Sequence, residues 1–315
     1  MVVNIHSHLA HKNMWSDKFW DFIADNYSFA LGMPKEGVYK NLLPLFWASS
    51  AENYVKIMDE AGIKKTIVMG VDYGMSEVGE ATWSIEEMNQ WVAKQADEYS
   101  DKLKALCAVD PRRGVKAVEL VEKAVKEWGM IGVKFHPTAG FYPDDPQYFP
   151  LYEKCVELDV PLHSHTAATI SAPMVSKYAD PIYLDTIAAK FPKLKIILVH
   201  FGSMSYTLKC AEIMGSRPNV YAELSGYQIQ AQSMPEYFLK TLRSVLNMKA
   251  LLGTPLKDRL MFGTDWPYLE TALSTKEWVQ WIKDIPEKAK QYGITFTHDE
   301  INNILSGNAQ KLFKL

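Results

Sequence analysis

The sequence predicts an α/β protein built as a single (β/α)₈, or TIM, barrel domain over residues 1–315, with an aromatic-rich insertion after the first strand. Three observations lead there. Eight short runs rich in Val, Ile and Leu recur along the chain, as expected for strands buried on both faces of a parallel sheet. Amphipathic helical segments separate them. Polar residues, several of them histidines, follow directly on the ends of these runs, where a barrel collects its functional side chains.

The runs lie at residues 2–5, 66–71, 103–109, 131–135, 160–164, 196–199, 220–224 and 260–262. Residues 85–100, 115–128 and 150–158 place apolar side chains three and four apart, the spacing of a helix with one buried face. Gly62, Gly129 and Gly215 stand where helices should end, and Thr297 with Glu300 forms a capping box before the last helix. Eight alternating units in 315 residues favour a closed barrel over an open doubly wound sheet. No Gly-x-Gly-x-x-Gly after the first run supports the open sheet. Residues 10–50 are rich in Trp, Phe, Tyr and Met, a length of connection that is usually functional or structured in its own right. Their aromatics are expected either to cover a substrate or to pack against a second copy of the chain, so a homodimer is expected.

With 48% apolar and 23% charged residues the composition is that of an ordinary globular protein. A net charge of −3 and the lack of basic blocks exclude a nucleic-acid surface. The apolar runs are far too short for a membrane span. Cys107, Cys155 and Cys210 are odd in number and in no metal-type spacing, which reads as reduced core thiols. The N-terminus has no signal-peptide pattern, and a cytoplasmic location is expected.

His6 and His8 end the first run, two apart, so strand alternation turns both rings to one side. Two converging imidazoles suit a divalent metal, whereas a lone His-x-His is as readily a satisfied polar pair. The fifth run ends in His163-Ser164-His165, the sixth in His200 and the eighth in Asp265. His165 is nearer the mouth and is expected to be the ligand. His163, one layer deeper, is expected to be a buried, hydrogen-bonded residue. Five such positions at one face are hard to explain by packing.

This ordered set resembles the amidohydrolase superfamily. The Phe262-Gly263-Thr264-Asp265-Trp266-Pro267 run and the closing residues 307–313 are similar to its amidohydrolase-2 branch, which contains metal-dependent decarboxylases and hydrolases. The resemblance implies one divalent ion, zinc by expectation, held by His6, His8, His165 and Asp265. His200 would stand beside the bound water and Asp265 would act as general base. The branch usually reads Asp-x-His-x-His, and Asn4 replaces the Asp here, which removes a charge behind the metal shell.

Weaker signals surround this set. Lys134 and His136 end the fourth run, and Lys134 could bind a substrate carboxylate, bridge two metals once carboxylated, or form a buried ion pair. Arg112, after the third run, is a candidate anchor for an acidic substrate or a solvated loop charge. Trp266 is a candidate substrate contact through its place beside Asp265. Glu223 and Ser225 end the seventh run and either line the pocket or satisfy neighbouring imidazoles. The leading functional reading is hydrolysis of a small substrate's carbonyl centre by metal-activated water. The alternative is non-oxidative decarboxylation of an aromatic or unsaturated acid on the same residues. A barrel that binds a small molecule without turning it over is the third.

Overall fold

A computed structural model describes residues 1–169 and 173–315. Its eight strands are β1 (Val2–His8), β2 (Ile63–Met69), β3 (Leu103–Ala108), β4 (Val133–Phe135), β5 (Leu162–His165), β6 (Ile196–Val199), β7 (Val220–Glu223) and β8 (Leu260–Met261). They pair in chain order and all pairs are parallel. The seam closes where the Ile5 N–H donates to the Phe262 carbonyl at 3.0 Å and the Asp265 N–H to the His6 carbonyl at 2.9 Å. The predicted TIM barrel is therefore the fold, with each expected run forming a strand.

Strand β1 departs from simple alternation. Its register against β2 slips between Asn4, opposite Thr66, and Ser7, opposite Val68: three residues answer two. This bulge lets Val3 and Ile5 face the barrel interior while His6 and His8, of opposite parity, also turn inward. Bulges re-aim side chains next to functional sites, and this one does so for the histidine pair. The inner floor is apolar, made by Val3, Ile5, Ile67, Met69, Leu106, Ile197, Val199 and Met261. The last helix, Asn308–Phe313, plugs it with Ala309, Leu312 and Phe313.

Around the sheet the helices Ile85–Asp97, Val115–Trp128 and Phe149–Glu157 form close to the expected ranges. Gly129 caps its helix at φ 66°, a left-handed conformation that suits glycine. Gly215 does not end a helix: Ser203–Ser216 runs through it, with Arg217 as the extended cap. Thr297 and Glu300 make the expected capping box. The insertion after β1 is helical, with Asp17–Leu31, Lys35–Asn41 and Leu43–Trp47 folded over the barrel mouth. All three cysteines are buried and unpaired. Among the described residues no helix is long and apolar enough to cross a membrane.

Candidate active site

The strand ends bring His6, His8 and Asp265 together. His6 Nε2 lies 3.0 Å from His8 Nε2 and 3.6 Å from Asp265 Oδ1, and His8 Nε2 lies 3.2 Å from the same oxygen. Donor atoms about 2.1 Å from one ion sit about 3.0–3.4 Å apart in tetrahedral or octahedral geometry. Two of the three separations lie in that range and the third, at 3.6 Å, is slightly wider, so a small closure brings the trio onto one divalent ion. His6, His200 and Glu223 form a second group of close donor atoms. His165 stands beside rather than within the tight trio, its Nδ1 3.0 Å from His200 Nε2.

Hydrogen bonds fix which imidazole nitrogens remain available. His165 Nε2 donates to the Ala167 carbonyl at 2.9 Å, leaving the Nδ1 lone pair toward His200. His6 Nδ1 faces Glu223 Oε1 and Ser225 Oγ, both at 3.1 Å, which leaves its Nε2 toward His8 and Asp265. Ser225 Oγ also bonds His200 Nδ1 at 2.8 Å, so Glu223 and Ser225 orient two imidazoles. Burial, reinforced by neighbouring charges, keeps the His6 and His200 pKa values well below the usual imidazole range and brings His165 to about 3. Neutral imidazoles are the form that binds metal. Glu223 is raised by burial, against donors from the Ser225 and His200 backbone and the Ser225 hydroxyl. Gly263 makes room for it: a Cβ there would overlap the carboxylate, lying 2.7 Å from Cδ.

Backbone strain gathers at the same place. Asp265 (φ 55°), His200 (φ 68°), Phe201 (φ 42°) and Ser203 (φ 47°) are all left-handed without being glycine. Such conformations cluster at functional sites, held by the surrounding fold.

A cavity of about 300 Å³ opens above these groups. Its walls include Phe19, Trp20, Tyr27 and Phe46 from the insertion, with Tyr73 and Tyr268 from the barrel loops. Aromatics of the insertion thus line the cavity. Lys134 and His136 also line the cavity, with Lys134 Nζ 3.1 Å from His6 Nε2. Burial lowers the Lys134 pKa despite the pull of Asp265 and Glu223. His136 stacks on His165 at 4.1 Å between ring centres and bonds Thr138 Oγ1 at 2.6 Å.

Two expected substrate contacts lie elsewhere. Arg112 spends its fork on Asp110, at 3.0 and 2.6 Å, and on the Ala139 carbonyl at 3.0 Å, and it does not line the cavity. Its neighbour Arg113 is likewise paired, with Asp72 and Glu80. Trp266 turns outward to stack on Tyr54 at 4.5 Å, and the adjacent Tyr268 takes the wall position. His163 is buried, as expected, but neither ring nitrogen has a hydrogen-bond partner among the described residues.

The Amidohydrolase family model (Amidohydro_2) matches residues 49–315. The chain belongs to this amidohydrolase family. Within it, the chain is 23% identical to a gamma-resorcylate decarboxylase of Polaromonas sp. over 294 residues, covering 83% of this chain and 86% of the relative. It is 27% identical to a 2-keto-4-carboxy-3-hexenedioate hydratase of Sphingobium sp. over 173 residues, about half of each chain. Its barrel superposes on 5-carboxyvanillate decarboxylase of Novosphingobium aromaticivorans, solved with manganese and a nitrobenzoic acid. That match has a TM-score of 0.69 at 18% identity and covers 100% of this chain and 96% of the other.

Proposed function

We propose that this amidohydrolase-family protein is a metal-dependent, non-oxidative decarboxylase of a small aromatic carboxylic acid. One observation carries the reading: a donor cluster with single-ion spacing and a lysine beside it lie at the base of an aromatic-walled cavity. The relatives support the reaction class, since gamma-resorcylate decarboxylase and the carboxyvanillate enzyme both act on aromatic acids by name. Decarboxylation therefore moves ahead of the hydrolysis that the sequence suggested first. Lys134 supplies a cation for the acid from inside the barrel.

A divalent ion held by His6, His8, His165 and Asp265 would supply fixed positive charge for a substrate oxygen and stabilise negative charge developing there. Manganese in the structural relative makes the ion's identity as open to manganese as to zinc. The chain's own groups do the rest. Lys134 attracts the substrate anion, and the aromatic walls sandwich its ring and exclude water. His200, braced by Ser225, holds a substrate oxygen. Asp265 passes a proton to the ring carbon that bears the carboxylate. The C–C bond then breaks, its electron pair returns to the ring, and CO₂ leaves; solvent reprotonates Asp265. The test incubates purified protein, loaded in turn with zinc and manganese, with a panel of hydroxybenzoates and carbonyl esters. CO₂ release from an acid is the expected outcome. Ester cleavage without CO₂ from any acid would return hydrolysis to first place.

A further inference from the structure

The cavity's charge inventory narrows the substrate beyond its reaction class. Among the described lining residues Lys134 is the one lysine and there is no arginine. Lys134 is 2% exposed and sits deep, against His6, on the side where the donor cluster lies. The two arginines nearest in sequence to the mouth are both taken by carboxylates, Arg112 by Asp110 and Arg113 by Asp72 and Glu80. Above the donor cluster the walls are Phe19, Trp20, Phe46 and the phenols Tyr27, Tyr73 and Tyr268. Burial raises these phenols, Tyr27 to about 12, so they stay uncharged hydrogen-bonding groups at neutral pH.

Resting on the decarboxylase reading, we infer that the site selects an acid with a single carboxylate, whose other ring substituents are uncharged donors or acceptors such as hydroxyls. The reasoning is desolvation. One carboxylate entering the cavity meets positive charge on the donor side, where Lys134 lies and the ion would be held; a second across the same ring leaves water for aromatic carbon and phenol oxygens with no counter-charge beside it. A buried unpaired carboxylate is strongly disfavoured. Uncharged hydroxyls lose only water hydrogen bonds, which the tyrosines replace.

Three probes separate charge from size: salicylate, its 5-carboxamide and its 5-carboxylate. The last two have nearly the same shape and differ by one charge. Titration calorimetry on the manganese-loaded protein should show the carboxamide binding at least about tenfold tighter than the carboxylate. Ile229 lines the cavity rim and is 53% exposed, so Ile229→Arg adds a cation without burying it. That variant should narrow the ratio. A 5-carboxylate that binds as well as the carboxamide overturns the inference, as does a ratio that the added arginine leaves unchanged, or no binding of any probe. The CO₂ assay is independent of this ratio. Discrimination without CO₂ release would count against the reaction, while CO₂ release with the diacid bound as tightly would count against the inference alone.

Discussion

Asn4→Ala removes the clasp behind the histidine pair. The Asn4 side chain accepts from the His6 and Thr264 backbone N–H groups, both at 3.1 Å, and its Nδ2, with two hydrogens to share, lies 2.7, 2.7 and 2.9 Å from Ser7 Oγ, Tyr54 Oη and Thr264 Oγ1. These losses are unequal. The hydroxyls re-pair among themselves, since Ser7 Oγ already lies 2.8 Å from Tyr54 Oη and 2.9 Å from Thr264 Oγ1. The Thr264 N–H keeps the His6 carbonyl at 3.2 Å. The His6 N–H loses its Asn4 acceptor at the point where the bulge interrupts the ladder. One buried unsatisfied amide costs about 1–3 kcal/mol. Urea unfolding of the metal-free variant should show that loss. Groups that orient ligands without touching the metal change affinity about 10–100-fold, so metal titration should show a drop of that size. Asn4→Asp keeps an oxygen for the two N–H groups and accepts from hydroxyls that can rotate, so it should recover most of the affinity. Unchanged stability and metal affinity in Asn4→Ala would refute the clasp. A stability loss with unchanged affinity would make Asn4 structural only.

Three further outcomes are expected. Asp265→Asn, nearly isosteric, should keep the fold and lower turnover by about 10²–10⁴ in the CO₂ assay; near-normal turnover would remove Asp265 as the proton carrier. Gly263→Ala should push the Glu223 carboxylate off His6 and His200, cutting activity severely while circular dichroism stays native; full activity would show that Glu223 is free to move. Arg243 pairs with Glu300 at 2.9 and 2.8 Å and holds its pKa near 2, below the ordinary 4.5. A depressed carboxylate stabilises the fold above its ordinary pKa and loses that stabilisation as pH falls toward the folded value. Glu300→Gln should therefore cost about 1 kcal/mol at pH 7, discounted for partial exposure, and the gap should close between pH 4.5 and 2; a pH-independent gap would contradict the pairing.

The barrel was legible because strands buried on both faces announce themselves as apolar runs, whatever their neighbours. The histidines and Asp265 were legible because polar residues at run ends have no packing reason to be there. Strict alternation reached the right face for His6 and His8 but implied the wrong one for Val3 and Ile5, because a bulge leaves no mark in hydrophobicity. Arg112 was misplaced for a local reason: Asp110, two residues earlier, captures its fork. Tyr268 takes the wall position expected of Trp266, through backbone geometry at the strand end beside the left-handed Asp265. Gly215 had the helix-stop residue type but lies inside its helix. The orienting role of Glu223 was one of two open readings, and only the 3.1 Å contact to His6 chose between them.

The donor trio straddles the seam of the barrel. His6 and His8 belong to the first strand and Asp265 follows the last, so 256 residues of chain lie between His8 and the carboxylate it approaches. During synthesis the N-terminal strand waits, its histidines made early, until β8 and the plug of Asn308–Phe313 emerge. Only a closed barrel presents the complete set of donors. An ion bound to that set stabilises the closed ring against opening by mass action, about 2.7 kcal/mol at a free concentration one hundred times its Kd. Metal supply and ring closure are then one equilibrium, and a chain starved of metal is one whose first and last strands part most easily.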